Sequence, residues 1–179
     1  MKDLKKIINL TLGVIFCLSF LSQTESKAQV IKMSDKDLTQ RSTAVLYGKC
    51  SKVKSEWNDK KDIILTQVTV VPEEYIKGNL GSEAIITIPG GQVDDILYEV
   101  SEMPVFVEGE DVVAFIRTNS AGKNLITGGY QGKMKIDKDK KTGQRMVQDS
   151  GAEILAPGQI KKAEKLEDYV AKLKGWAKN

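Results

Sequence analysis

Short apolar runs separated by polar turns dominate the chain, a pattern typical of a β-rich domain. Runs of β-branched residues, or alternating apolar and polar positions, predict strands. The segments that carry these signals are 44–53, 63–71, 84–88, 96–100, 112–117, 125–127, 133–137 and 145–148. The run 112–117 is apolar at its first five positions, which predicts a central strand. The last two segments alternate on either side of a loop, which predicts a hairpin.

Proline, glycine and polar residues set the expected boundaries of these strands. The segment 55–62 reads as a polar connection that carries Trp57. Pro72 is expected to end the second strand, with a single helical turn following around Tyr75 and Ile76. Pro89-Gly90-Gly91 is the strongest turn signal in the chain.

Two helices are expected, one at each end of the β segments. Ser34 resembles an N-cap, with acidic residues in the following turn, and predicts a short helix ending near Ser42. Pro157 is expected to open the last helix in a first-turn position. Its apolar positions fall at helical spacing: Ile160, Ala163, Leu166, Val170 and Leu173. Acids interleave with lysines on its opposite face, which favours packing on the domain over a membrane-surface role.

The N-terminal segment 1–28 has the three parts of a secretory signal peptide. Lysines precede the apolar stretch 7–20, and Ser26-Lys27-Ala28 follows it, so cleavage is predicted after Ala28. A retained anchor needs about 20 apolar residues, more than this stretch offers. Lipidation at Cys17 is disfavoured because the bulky Phe16 precedes it. We therefore expect a protein exported to the periplasm or outside the cell, with no stable membrane span after cleavage.

Composition limits what the remaining residues 29–179 can be. The signal segment carries four of the 27 basic residues and two of the 24 acidic ones, which leaves a mature net charge of about +1. A nucleic-acid binder needs a basic excess, so no nucleic acid is expected as a partner. The organisation predicted is a signal peptide 1–28, a β-domain 29–156 and a C-terminal helical segment 157–179.

Histidine is absent and Cys50 is the one cysteine left after cleavage. Histidine-based catalysis and histidine metal sites are therefore excluded, and no catalytic residue, cofactor or metal site is expected. Cys50 cannot form an internal disulfide in the mature chain. Its position inside the apolar stretch that begins at Ala44 favours a buried thiol, and pairing between chains is the alternative.

Several motifs follow one another in an informative order. These are Ala44–Lys49 after a short helix, Val71–Gly78 at the end of a long strand, and Met103–Glu110 before Val112–Ile116. The chain resembles a group of small exported bacterial proteins of unknown function. More distantly, over about residues 34–136, it resembles the netrin-like domain of metalloproteinase inhibitors.

The resemblance implies a mainly β fold, an OB-type five-stranded β-barrel with flanking helices. Gly48 and Gly78 would supply backbone freedom, Pro104 and Phe106 a plug, and Gly109 a turn. Netrin-like inhibitors present a disulfide-tethered N-terminal cysteine to the protease zinc. The mature N-terminus here would be Gln29, and no cysteine pair exists, so that mechanism is not carried over.

Candidate chemistry is sparse. Asp94 and Asp95 are adjacent, and adjacent side chains on an extended chain lie on opposite faces, which favours a solvated turn over a paired site. Ser101 has no base to activate it. Trp57 is a candidate partner contact or, alternatively, a lid over the end of the barrel.

The function expected is that of an exported, non-catalytic binding or inhibitory module for a protein or glycan. Trp57, Gly90 and Gly91 are the predicted partner-binding residues. One alternative is a carboxylate-dependent hydrolase using Asp94 or Glu110 in a cleft of convergent acids. Another is a structural envelope component that docks through residues 157–179.

Overall fold

In a computed structural model, which describes residues 32–149 and 163–178, most strands of the protein belong to one large antiparallel sheet. The strands are β1 (Ala44–Trp57), β2 (Ile64–Lys77), β3 (Ala84–Pro89), β4 (Gly91–Val93), β5 (Ile96–Tyr98), β6 (Asp111–Thr118), β7 (Asn124–Ile126), β8 (Lys133–Lys138), β9 (Arg145–Asp149) and β10 (Glu164–Lys165). The helices are α1 (Asp35–Arg41) and α2 (Leu166–Ala177). The order across the sheet is β10-β9-β8-β6-β1-β2-β3, while β4 and β5 form a separate two-stranded sheet.

The central position predicted for segment 112–117 is confirmed, because β6 lies in the middle of the sheet. The predicted C-terminal hairpin is confirmed as well, since β8 and β9 pair up to Lys138 and Arg145. Before the first strand, the Ser34 hydroxyl accepts a hydrogen bond from the Asp37 amide and caps α1. This cap satisfies a backbone donor that the helix itself cannot pair.

The sheet separates two apolar cores. One core lies on the side of β2, β3 and β7 and includes Leu46, Val68, Ile86, Phe106 and Ile116. The other lies between the opposite face of the sheet and both helices. Its main members are Leu38 from α1, Val45, Val113, Phe115 and Met134 from the sheet, and Leu166, Tyr169, Val170 and Leu173 from α2.

The described strands do not close into a barrel, so the predicted OB-type barrel is wrong in that respect. One edge of β6 is divided, because Asp111–Ala114 pair with β8 and Ile116–Thr118 pair with β7. The short β7 then reaches β3 through a side chain: Asn124 Nδ2 donates to Ile85 O at 3.1 Å. No backbone ladder joins β7 to β3 within the described residues, and the sheet therefore remains open.

Pro72 does not end the second strand, and the helical turn expected around Tyr75 is also wrong. β2 continues to Lys77 because Pro72 lies at an irregularity in its pairing with β1, opposite Gly48. At such a position a missing backbone N–H is tolerated. Gly48 allows the close approach, since a Cβ there would lie 2.2 Å from Val71 O.

The C-terminal helix begins at Leu166, later than the expected start at Pro157. Glu164 and Lys165 instead pair with Val147 and Met146 of β9, which extends the sheet by one strand. Pro157 and Ile160 lie outside the described residues, as do the predicted signal segment and its cleavage site at Ala28. Within the described ranges, no helix has the length and apolar character needed to cross a membrane.

Replacing Gly48 with alanine tests the close approach of β1 and β2. The new Cβ would meet backbone atoms of Val71 and Pro72 that cannot rotate away. We expect the free energy of unfolding, measured by urea denaturation, to fall by about 1–3 kcal/mol. Gly175→Ala in α2 is the matched control, because its Cβ would meet no described atom within 4 Å. A Gly48→Ala variant as stable as the control would contradict this account.

Candidate binding cleft

A cleft of about 510 Å³ lies where the β1–β2 ribbon extends beyond β6. β6 pairs with β1 only from Ala44 to Lys49, whereas β1 and β2 pair along almost their whole lengths. Val68, Ile88 and Phe106 line the cleft and belong to the first core. The floor of the cleft is therefore a continuation of the hydrophobic core.

Gly91 allows the chain to cross closely over β1 and β2 at one side of the cleft. It adopts φ +133°, and a Cβ would lie 2.3 Å from Thr66 Oγ1 and 2.4 Å from Ser55 Oγ. Thr66 Oγ1 donates to Gly90 O at 2.6 Å, and the Gly90 amide donates to Ile64 O at 2.9 Å. A side chain at position 91 would push this crossing away from the strands.

The β4–β5 hairpin forms one wall of the cleft. It pairs Gly91 with Tyr98 and Val93 with Ile96, and Asp94 at its turn adopts φ +52°. β5 exposes three consecutive apolar side chains: Ile96 at 52%, Leu97 at 62% and Tyr98 at 37%. Consecutive exposed apolar residues of this size are typical of interaction surfaces.

The segment 103–107 forms the opposite wall. Phe106 is buried, whereas its neighbours Val105 and Val107 are 78% and 60% exposed. Leu97, Tyr98 and Val105 both line the cleft and remain exposed, and we call these three residues the apolar rim.

A buried ion pair holds this second wall in place. Lys133 Nζ lies 2.6 Å from Glu110 Oε1, and the two side chains are only 7% and 10% exposed. The same ammonium donates to Val105 O at 2.5 Å and lies 4.7 Å from the centre of the Phe106 ring. Glu110 Oε1 also accepts from the Val107 amide at 2.8 Å. Because one buried cation and one buried anion share these contacts, the backbone of the wall has a defined position.

A second carboxylate ties the wall to β1. Glu108 Oε1 accepts a hydrogen bond from the Val53 amide at 2.8 Å. Val53 lies in the part of β1 beyond its pairing with β6. The carboxylate thus satisfies a backbone donor on the open edge of this strand.

The predicted partner-binding residues separate into two groups. Gly90 and Gly91 line the cleft. Trp57 lies at the end of β1, half-buried and paired with Ile64, and is not among the lining residues. Its assignment to a polar connection is wrong, because the β1–β2 ladder continues through residues 55–57.

The acids proposed for catalysis do not meet in the cleft. Asp94 and Asp95 are exposed at the turn of the β4–β5 hairpin, and Glu110 is paired with Lys133. Among the described lining residues Glu99 is the only carboxylate. The part of the chain that the structure describes contains no group of histidine, cysteine, aspartate or glutamate side chains suited to a metal ion.

Cys50 is fully buried in the first core, which confirms the expectation of a buried thiol. Burial raises the pKa of the Cys50 thiol above its ordinary value, and the nearby Glu110 carboxylate adds to the increase. The reactive thiolate is therefore disfavoured in the folded protein.

Sequence reasoning missed Lys133 and the rim residues. Lys133 alternates with Met134 like a solvent-facing strand residue, so its burial has no local signal. The apolar residues of β5 resemble those of any half-buried strand. No family model matches the chain, and no curated protein matches it.

Substituting Lys133 with methionine tests the buried pair. The Glu110 carboxylate would remain buried without a cation, so we expect the free energy of unfolding to fall by about 3–5 kcal/mol. Urea denaturation measures it. Adding Glu110→Gln to the same chain should recover part of the loss, because no charge is then left unpaired.

Lys135→Met is the control, two positions along the same strand. Its side chain is 51% exposed and pairs with Asp137 at the surface, so its removal should cost less than about 1 kcal/mol. Equal effects of the Lys133 and Lys135 substitutions would show that the buried pair does not stabilise the wall.

Alkylation by iodoacetamide tests the environment of Cys50. In a Cys17→Ser variant, which leaves Cys50 as the sole thiol, the native protein should react far more slowly than the urea-unfolded chain at the same pH. The physical reasons are full burial and the raised pKa of the thiol. Mass spectrometry follows the reaction, and equally fast native alkylation would refute the buried position.

Proposed function

We propose that the protein is a non-catalytic binding module, exported by its N-terminal segment 1–28, that holds its partner at the cleft. The observation that carries this proposal is the apolar rim of Leu97, Tyr98 and Val105, exposed around an opening that continues into the core. Complete burial of a valine or leucine side chain contributes about 1.5–3 kcal/mol, so a partner covering the rim would gain substantial free energy.

The fixed walls of the cleft support a binding role. The Lys133–Glu110 pair positions one wall, and the Gly91 crossing anchors the other on β1 and β2. Because a preformed site loses little conformational entropy on binding, more of the contact energy remains as affinity.

The alternative functions find less support in the same features. A hydrolase of the carboxylate type needs two acids facing one substrate, and the described lining offers Glu99 alone. Docking of an envelope component through the C-terminal helix needs a free apolar face. Leu166, Val170 and Leu173 of α2 are instead buried in the second core.

The resemblance to netrin-like domains supports a binding module as well. Phe106, assigned by that resemblance to a plug, is buried beneath the cleft. The disulfide-tethered inhibitory terminus of that family has no counterpart in this chain.

Site-specific photo-crosslinking tests the binding function. A benzoylphenylalanine replacing Leu97 should give a discrete adduct when the purified protein is mixed with envelope and secreted proteins of the source organism. The same group at Ile85 should give none, because Ile85 is similarly exposed, at 49%, on β3 outside the cleft lining. Gel electrophoresis and mass spectrometry identify the adducts. Failure at Leu97 and at Val105 in folded protein would overturn the proposal.

A further inference from the structure

The chain that forms the cleft walls is strongly acidic. Between Lys77 and Arg117 the sequence contains eight aspartates and glutamates and no lysine or arginine. The mature protein is nearly neutral, so this segment concentrates negative charge on one part of the molecule. Such a field attracts cationic ligands and repels anionic ones.

Three of these eight acids already have partners in the walls or the sheet. Glu108 accepts from the Val53 amide, Glu110 pairs with Lys133, and Asp111 lies 2.9 Å from Lys49 Nζ. Four others lie on either side of β5, are exposed, and form no ion pair with any described residue. We call these four the acidic flank: Asp94, Asp95, Glu99 and Glu102.

The edge of β5 has the form of a strand-pairing site. Among the described strands, β5 pairs with β4 alone, so one of its edges is open to another chain. Its exposed side chains, Ile96 to Tyr98, lie beside the cleft. Extended peptides add to such edges by main-chain hydrogen bonds, while neighbouring pockets take alternate side chains.

We propose that the cleft and the β5 edge bind an extended polypeptide segment that is both apolar and cationic; this inference rests on the proposed function above. Apolar side chains of the segment would enter the cleft between Leu97 and Val105. Its lysine or arginine side chains would lie against the acidic flank.

Charge and polarity favour this occupant over the others. A second copy of this chain would bring its own acidic flank against the first, and like charges across paired strands are destabilising. Nucleic acids and anionic lipid surfaces are repelled for the same reason. A neutral glycan would leave the four carboxylates of the acidic flank without cationic partners. A basic, apolar polypeptide satisfies both the rim and the flank.

The contribution of the flank is modest for each charge and sizeable together. An exposed ion pair changes affinity by about twofold, so four acids together correspond to roughly a tenfold change in affinity. Because the carboxylates are solvent-exposed, salt should weaken this part of the binding.

Fluorescence anisotropy with defined synthetic peptides tests the proposal. The first probe alternates lysine and valine; the second replaces lysine with glutamate; the third keeps lysine and replaces valine with serine. We expect the first to bind the purified protein with an affinity that falls as salt is added. The second and third should bind at least about tenfold more weakly.

Protein variants locate the interaction. The flank variant is Asp94→Asn, Asp95→Asn, Glu99→Gln and Glu102→Gln. The control removes the same charge from exposed acids elsewhere: Asp59→Asn, Glu83→Gln, Glu167→Gln and Asp168→Asn. The flank variant should lose about tenfold or more in affinity for the lysine–valine peptide, and the control should lose much less. Leu97→Ser should weaken the same peptide, whereas Ile85→Ser should not.

The outcomes separate this inference from the proposed function. Equal binding of all three peptides, or equal effects of the flank and control variants, overturns the cationic specificity. So would binding to anionic vesicles through the rim, or self-association that Leu97→Ser abolishes. A Leu97 crosslink to an acidic or neutral partner would overturn the inference and leave the binding function standing. Loss of both peptide binding and crosslinking would overturn both.

Discussion

The long antiparallel ribbon of β1 and β2 is the constraint on which the rest of the structure depends. Its first half lies beside β6, within the sheet, where residues such as Val45 and Leu46 are buried on opposite faces. Its second half extends past β6 and leaves one edge of β1 open. Gly48 makes this geometry possible by allowing contact with the backbone of β2 at Val71. The cleft is the space left beside the projecting half.

The buried Lys133–Glu110 ion pair holds the segment that covers the open edge of β1. The open edge of β1 and the exposed face of the core need a cover, and the segment 103–110 provides it. Lys133 and Glu110 fix that segment from beneath, with Phe106 packed against the ammonium. Isolated charges are costly to bury, so the two side chains are stable there only together. The arrangement leaves Val105 and Val107 exposed, because the opposite face of this segment is already occupied.

The exposed apolar rim and the acidic flank lie on the same surface of the protein. The segments that form the walls of the cleft contain aspartate and glutamate but no lysine or arginine, and the basic residues lie in other segments. A nearly neutral protein can therefore present a locally acidic, apolar opening. The conformation of the cleft is set by contacts inside the protein, as the proposed selection of a partner by shape and by charge requires.

Local patterns predict much of the β structure. Alternation in 133–137 and 145–148 and the apolar run 112–117 depend on nearby residues, and the structure has the expected strands there. The Pro89-Gly90-Gly91 signal falls where β3 ends at Pro89 and β4 begins at Gly91. Burial of Cys50 also follows from local alternation, because the exposed Lys49 and Ser51 flank it on the opposite face of β1. The sequence predicts Gly90 and Gly91 as turn residues, and their place in the cleft lining follows from the strands that they cross.

Pairing between strands that are distant in sequence determined the features that local patterns did not predict. The continuation of β2 through Pro72, the strand at Glu164 and the inclusion of Trp57 in β1 each require a partner strand distant in sequence. Among the described strands the barrel does not close, and β6 shares one edge between β7 and β8, a pairing that no local pattern encodes. Lys133 has the sequence context of an exposed lysine and is buried only because the 103–110 segment folds over it. Sequence alone thus determined the strands and turns, while tertiary structure decided which surfaces they cover and which they leave open.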